Sequence, residues 1–123
     1  MLRYVNYDGV QMPVDFNIMT LVKIAKHYGT DLTGIQEVFR SFKGEEDSIV
    51  FVGTIGSVAL TEGARRAADG GDYKRYNNDD VYDMLTVDMT LAEQLLSEFF
   101  ESMEGSKVFP KAPAKKAPKK RSK

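Results

Sequence analysis

The Asp8-Gly9 pair in "YVNYDGVQMPVDFN", residues 4–17, constrains the fold more than any other part of the chain. Tyr4 and Asn6 alternate with Val5 and Tyr7 before it. Val10, Met12 and Val14 alternate with Gln11, Pro13 and Asp15 after it. A two-residue type I′ turn needs positive φ at both central positions, which Asp-Gly tolerates well. The stretch therefore predicts a hairpin. Pro13 has no ladder donor, so it belongs on the outer edge of its strand. Two strands alone are marginal in water, so this hairpin must pack on the helices that follow.

Asn17 is placed to cap the first of them. Ile18, Leu21, Val22, Ala25 and Tyr28 share a helical face, and Gly29 supplies the stop. "TGIQ" reads as a capping box with Thr33 at the N-cap and Gln36 three residues on. Ile35, Val38, Phe39 and Phe42 form the apolar stripe of that second helix, and Gly44 closes it. "EEDSIVFVGTIGSVALTEGARRAAD" (45–69) is the longest helical candidate, with acids at its start and Arg65 and Arg66 near its end, as the macrodipole favours. Its centre is apolar on several sides, which marks a buried central helix. Residues 48–53, "SIVFVG", also suit a strand, and Gly53 and Gly56 mark either close helix approach or a break.

"DGGDYKRYNN" reads as a loop. Asn77 or Asn78 then caps a helix carrying Val81, Met84 and Leu85 on one face. Thr90 and Glu93 suggest a second capping box for the last helix. There Leu91, Leu95, Phe99 and Met103 share a face that Leu96 and Phe100 widen. Phe99 and Phe100 point about 100° apart. Core is the expected place for both, and an exposed Phe at either would offer a contact for a partner.

The net charge of −1 conceals an asymmetry. Eight of the 17 Lys and Arg fall within residues 106–123, which hold no acid, so the remainder carries nine bases against all 18 acids, a net of −9. "SKVFPKAPAKKAPKKRSK" is low-complexity Lys/Ala/Pro and is expected to be disordered. Lys115, Lys116, Lys119, Lys120 and Arg121 are its candidates for phosphate or electrostatic contact. The readings open for it are nucleic-acid contact, a solubilising extension, or folding back onto the acidic body. The expected architecture is mainly α: an N-terminal hairpin on a bundle of about five helices (1–105), then the basic tail (106–123).

The parts for most catalytic chemistry are missing from the sequence. There is no Cys, which excludes disulfides and thiolate catalysis and fits a reducing cytoplasm. His27, the single histidine, stands at a helix end where the dipole favours a cation. No triad or zinc set accompanies it. Asn78, Asp79, Asp80 and Asp83 lack the Gly and terminal Glu of a calcium loop and suit an acidic helix start. "GTIGSVALTEG" is neither a Walker loop nor GxGxxG. No segment reads as a signal peptide or a membrane span. The expectation is a non-enzyme without a cofactor. Arg65, Arg66, Phe99 and Phe100 are the candidate partner-binding residues, on interface preference.

"YVNYDGVQMPVDFNIMTLVKIAKHYGTDLTGI" resembles the start of the tail assembly chaperones of long-tailed phages. "ALTEGARRA" is similar to that family's mid-chain helix, and "NNDDVYDML" with "LAEQLLSEFFESM" to its closing pair. The resemblance spans about residues 3–103. It implies a small helical protein of the infected host's cytoplasm that coats the tape measure protein, keeps it soluble and helps recruit tail tube subunits. It implies no enzyme activity and no cofactor, and a tendency to form homo-oligomers. It also implies that a longer, frameshifted form exists in some members. The basic tail departs from the family's short form. The alternative is a small nucleic-acid-associated protein that binds through that tail.

Overall fold

The computed structural model describes residues 2–105. The hairpin comes first: β1 (Arg3–Tyr7) and β2 (Val10–Val14) pair antiparallel, with Tyr7 opposite Val10 and Arg3 opposite Val14. Asp8 and Gly9 take φ of 50° and 85°, the positive pair that a type I′ turn requires. Hydrogen-bonded and non-hydrogen-bonded pairs alternate along such a ladder. Asn6 turns both its N–H and its C=O outward, to the Gln94 amide at 2.7 Å each. The Asn6–Gln11 pair is therefore non-hydrogen-bonded, and so is Tyr4–Pro13 two residues on. Pro13 accordingly lacks its N–H where the ladder needs none.

Five helices follow: α1 (Ile18–His27), α2 (Ile35–Arg40), α3 (Glu45–Ala68), α4 (Asn78–Val87) and α5 (Thr90–Gly105). The architecture is mainly α with an N-terminal hairpin, as the sequence predicts. Asn17 caps α1 by accepting the Thr20 N–H at 2.9 Å, and Gly29 ends it at φ 70°. The buried side of α1 is Thr20, Leu21, Ile24 and Ala25. It is rotated from the expected face, so Ile18 is 46% exposed and Ile24 is buried instead.

The caps of α2 and α5 differ from the capping boxes read in the sequence. Asp31 Oδ1 accepts both the Gly34 N–H (2.9 Å) and the Thr33 hydroxyl (2.8 Å), so Gly34 stands at the N-cap. A carboxylate is the stronger acceptor, and it turns Thr33 into a donor. Asp88 likewise accepts the Thr90 N–H at 3.1 Å and its hydroxyl at 2.5 Å, making Thr90 the first residue of α5 rather than its cap. Gly44 does not close α2, which stops at Arg40; it precedes α3 as its N-cap. Asn77 makes a full capping box with Asp80 at the start of α4.

α3 is one unbroken helix of 24 residues, which removes the strand reading of residues 48–53. Every residue from Phe51 to Ser57 is buried. No single apolar stripe could achieve that. The hairpin, α1, α4 and α5 surround this helix on different sides, so it is covered all round. Three glycines admit the neighbours. A Cβ on Gly53 would lie 2.4 Å from the Tyr82 ring, one on Gly56 3.0 Å from Val81, and one on Gly63 2.2 Å from the Pro13 carbonyl oxygen. Close approach, and not a break, is the role of Gly53 and Gly56. Leu95 also meets Gly56 while Phe99 stacks edge-on against Phe51 at 5.3 Å, so α5 runs antiparallel to α3.

Candidate interaction surface

Among the described residues no group of His, Cys, Asp and Glu is assembled to hold a metal ion, and no helix is long and apolar enough to cross a membrane. Chemistry of another kind is built at two places, and the four candidate residues of the sequence divide between them.

The first place joins the hairpin exit to the end of α3. Arg66 donates to Asp15 Oδ2 at 2.6 Å, and Asp15 is 5% exposed. Asn17, already the cap of α1, donates through Nδ2 to Glu62 at 3.1 Å. Glu62 in turn pairs with Arg65 one turn along α3. The Arg65 hydrogen bond, with that of Asn17, holds the Glu62 carboxyl below the usual carboxylate range. "VDFN" and "TEGARR" therefore meet as a structural clasp. Arg66 is spent on the fold, whereas half of the Arg65 side chain remains open to solvent.

The second place is aromatic. Phe39 lies 4.6 Å from Phe51, 5.4 Å from Phe42, 5.6 Å from Phe99 and 5.0 Å from Phe100, measured between ring centroids. Phe51 and Phe99 are core at 0% and 1% exposure, while Phe100 is 45% exposed and Phe39 and Phe42 are half-buried. The expectation that Phe99 and Phe100 are both core fails at Phe100. As a partner-contact candidate Phe99 fails instead, because its ring is sealed beneath Phe39 and Phe51. Adjacent residues diverge by about 100°, and α5 is covered on one side only.

Phe39 and Phe42 are the members of this surface that the sequence did not single out. Their spacing marks a helical stripe, and a stripe is normally core. The available signal was the shortness of α2, six residues, which cannot turn a full face of four apolar side chains inward. Exposed acids adjoin the rings. Glu45, Glu46 and Asp47 form the first turn of α3, directly after Phe42, and Glu101 and Glu104 follow Phe100 on α5.

Lys115, Lys116, Lys119, Lys120 and Arg121 lie outside the described residues. No protein-family model, curated protein or solved structure matches the chain.

Proposed function

We propose that this chain is a non-enzymatic assembly chaperone of long-tailed phages. In this reading it works in the host cytoplasm, where it binds the tape measure protein, keeps it soluble and helps recruit tail tube subunits. The observation that carries the reading is the half-exposed face of Phe39, Phe42 and Phe100 on a body of net charge −9. An amphipathic helix buries its apolar stripe on such a face through aromatic anchors. The surrounding acids keep the complex dispersed by mutual repulsion. The resemblance of residues 3–103 to that chaperone family supports the same partner class.

The test is co-expression with the long helical tape measure protein encoded in the same phage genome. The expected result is a soluble complex that co-purifies, and its loss with Phe100→Asp in an otherwise folded chain. A tape measure protein that stays insoluble, or one held equally well by the Phe100→Asp chain, would overturn the reading. The alternative of nucleic-acid association through the tail predicts retention of nucleic acid that falls steeply with salt.

A further inference from the structure

The end of α5 and the start of α3 lie side by side. Phe99 meets Phe51 while Leu95 meets Gly56, so residues after Phe99 advance alongside residues before Phe51. Gly105 is six residues beyond Phe99, and Glu45 is six residues before Phe51; both distances are about 9 Å along their helices. The chain therefore leaves α5 beside the acidic first turn of α3. That first turn holds Glu45, Glu46 and Asp47, and the last turn of α5 contains no base.

The local cations are mostly occupied. Arg40 pairs with Glu37, and Arg3 pairs with Glu98 and Glu101. Lys43 is exposed nearby, with its backbone N–H bound to Asp47 at 2.8 Å. Glu45, Glu46 and Glu104 make no ion pair among the described residues. Phe100 presents its open ring on the same end of α5.

Residues 106–123 begin at this point and carry eight bases, no acid, and the adjacent apolar pair Val108-Phe109. Phe109 is four residues past Gly105 and reaches up to about 13 Å from it. Phe100 is five helical residues before Gly105, or about 7.5 Å away. We propose that residues 106–123 are the resident occupant of this face. Val108 and Phe109 cover Phe39, Phe42 and Phe100, and the lysines beyond lie along Glu45, Glu46, Asp47 and Glu104.

A tethered segment acts at an effective concentration on the order of millimolar, so modest contacts suffice. A second copy of the chain would have to approach against the charge of its own acidic body. The occupant both screens that charge and shields the rings until a stronger partner displaces it. The inference concerns the free chain and stands independently of the chaperone reading.

The absence of cysteine makes the test clean, because Ser122→Cys gives a single nitroxide attachment point on the full chain. Amide intensities are then compared with the nitroxide oxidised and reduced. The expected result is selective loss of signal at Glu45, Glu46, Asp47 and Phe100, with Asp8 and Gly9 spared. The hairpin tip is tied to Asp88 at the other end of α5, about 24 Å away. The loss should disappear at about 1 M salt, where the Debye length is about 3 Å. It should also weaken in Phe109→Ser. Loss that is uniform or absent overturns the proposal, and loss that Phe109→Ser leaves intact overturns its aromatic contact. Loss transferred to an unlabelled, isotope-enriched chain mixed with the spin-labelled one shows contact between copies and overturns it as well.

Discussion

Arg66 reaches back 51 positions to place its guanidinium 2.6 Å from the carboxylate of Asp15. The pair joins the last turn of α3 to the residue that follows β2. Asp15 is almost wholly buried, and its other side-chain contact is a long one, 3.4 Å from Asn17. Its backbone N–H is also bound, to the Ala59 carbonyl of α3 at 3.2 Å. Arg66→Ala should therefore destabilise by about 1–3 kcal/mol, because a buried carboxylate loses its charged donor. Adding Asp15→Asn should recover part of that loss, and a double-mutant cycle in urea reads the coupling. Purely additive effects would show that solvent screening at the half-exposed Arg66 leaves no net pair.

Gly63→Ala tests how closely the hairpin sits on α3. The new Cβ would meet Pro13 O at 2.2 Å and Val14 Cα at 2.6 Å, both backbone atoms that cannot step aside alone. The expected cost is about 1–3 kcal/mol with a displaced hairpin. Gly53→Ala faces the Tyr82 ring, whose hydroxyl bonds the Val50 carbonyl at 3.3 Å near the surface. A ring can rotate or shift, so this change should cost less. The order of the two thermal midpoints checks the prediction, and equal losses would contradict it.

The two adjacent phenylalanines of α5 should behave oppositely. Phe99→Ala removes a ring that packs on Phe16, Phe39 and Phe51 and should cost about 3–5 kcal/mol. Phe100→Ser leaves the core closed, so its cost should stay within about 1 kcal/mol. Denaturant midpoints of the two variants decide this. A large loss at Phe100 would mean that its ring is structural.

Thr20 offers a stabilising substitution. It is 1% exposed, and its Oγ1 has no hydrogen-bond partner among the described residues. Thr20→Val keeps the shape and replaces the unsatisfied hydroxyl with a methyl. The change should be neutral or stabilise by up to about 1–2 kcal/mol in a urea titration. A clear destabilisation would reveal a partner for the hydroxyl in solution.

Acid should weaken the fold through three carboxylates. Thr33 and Gly34 lower Asp31, Arg65 and Asn17 lower Glu62, and Thr90 and Asp8 lower Asp88. Each is depressed in the folded state, whereas unfolded carboxylates titrate near pH ~4. The folded chain thus binds fewer protons in that range. Their contribution is complete above about pH 5 and is lost as pH falls through the folded values. Urea midpoints should be flat from neutral pH down to about 5 and fall below it. Glu62→Gln should make that fall shallower, and an unchanged fall would assign the acid sensitivity to other groups.

What the sequence by itself determined is everything whose physics is contained within a few residues. The Asp8-Gly9 turn, the Asn17 and Asn77 caps, the Gly29 stop and the Leu91–Leu95–Phe99–Met103 stripe each rest on local backbone geometry or helical spacing. The length of α3 was legible from its charged ends. Its identity as a helix through residues 48–53 was not, because Ile, Val and Phe suit both states and only the enclosing elements chose. The caps at Thr33 and Thr90 were misread because a nearby carboxylate competes for the same donors, and local pattern does not rank them. At the candidate surface the limit was sharper. Arg65 and Arg66, and Phe99 and Phe100, are near-equivalent as letters. Asp15, 51 positions away, separates the first pair, and Phe39 with Phe51 separates the second. Burial is set by which distant segments arrive on each side of a helix, and the tertiary structure alone decides that.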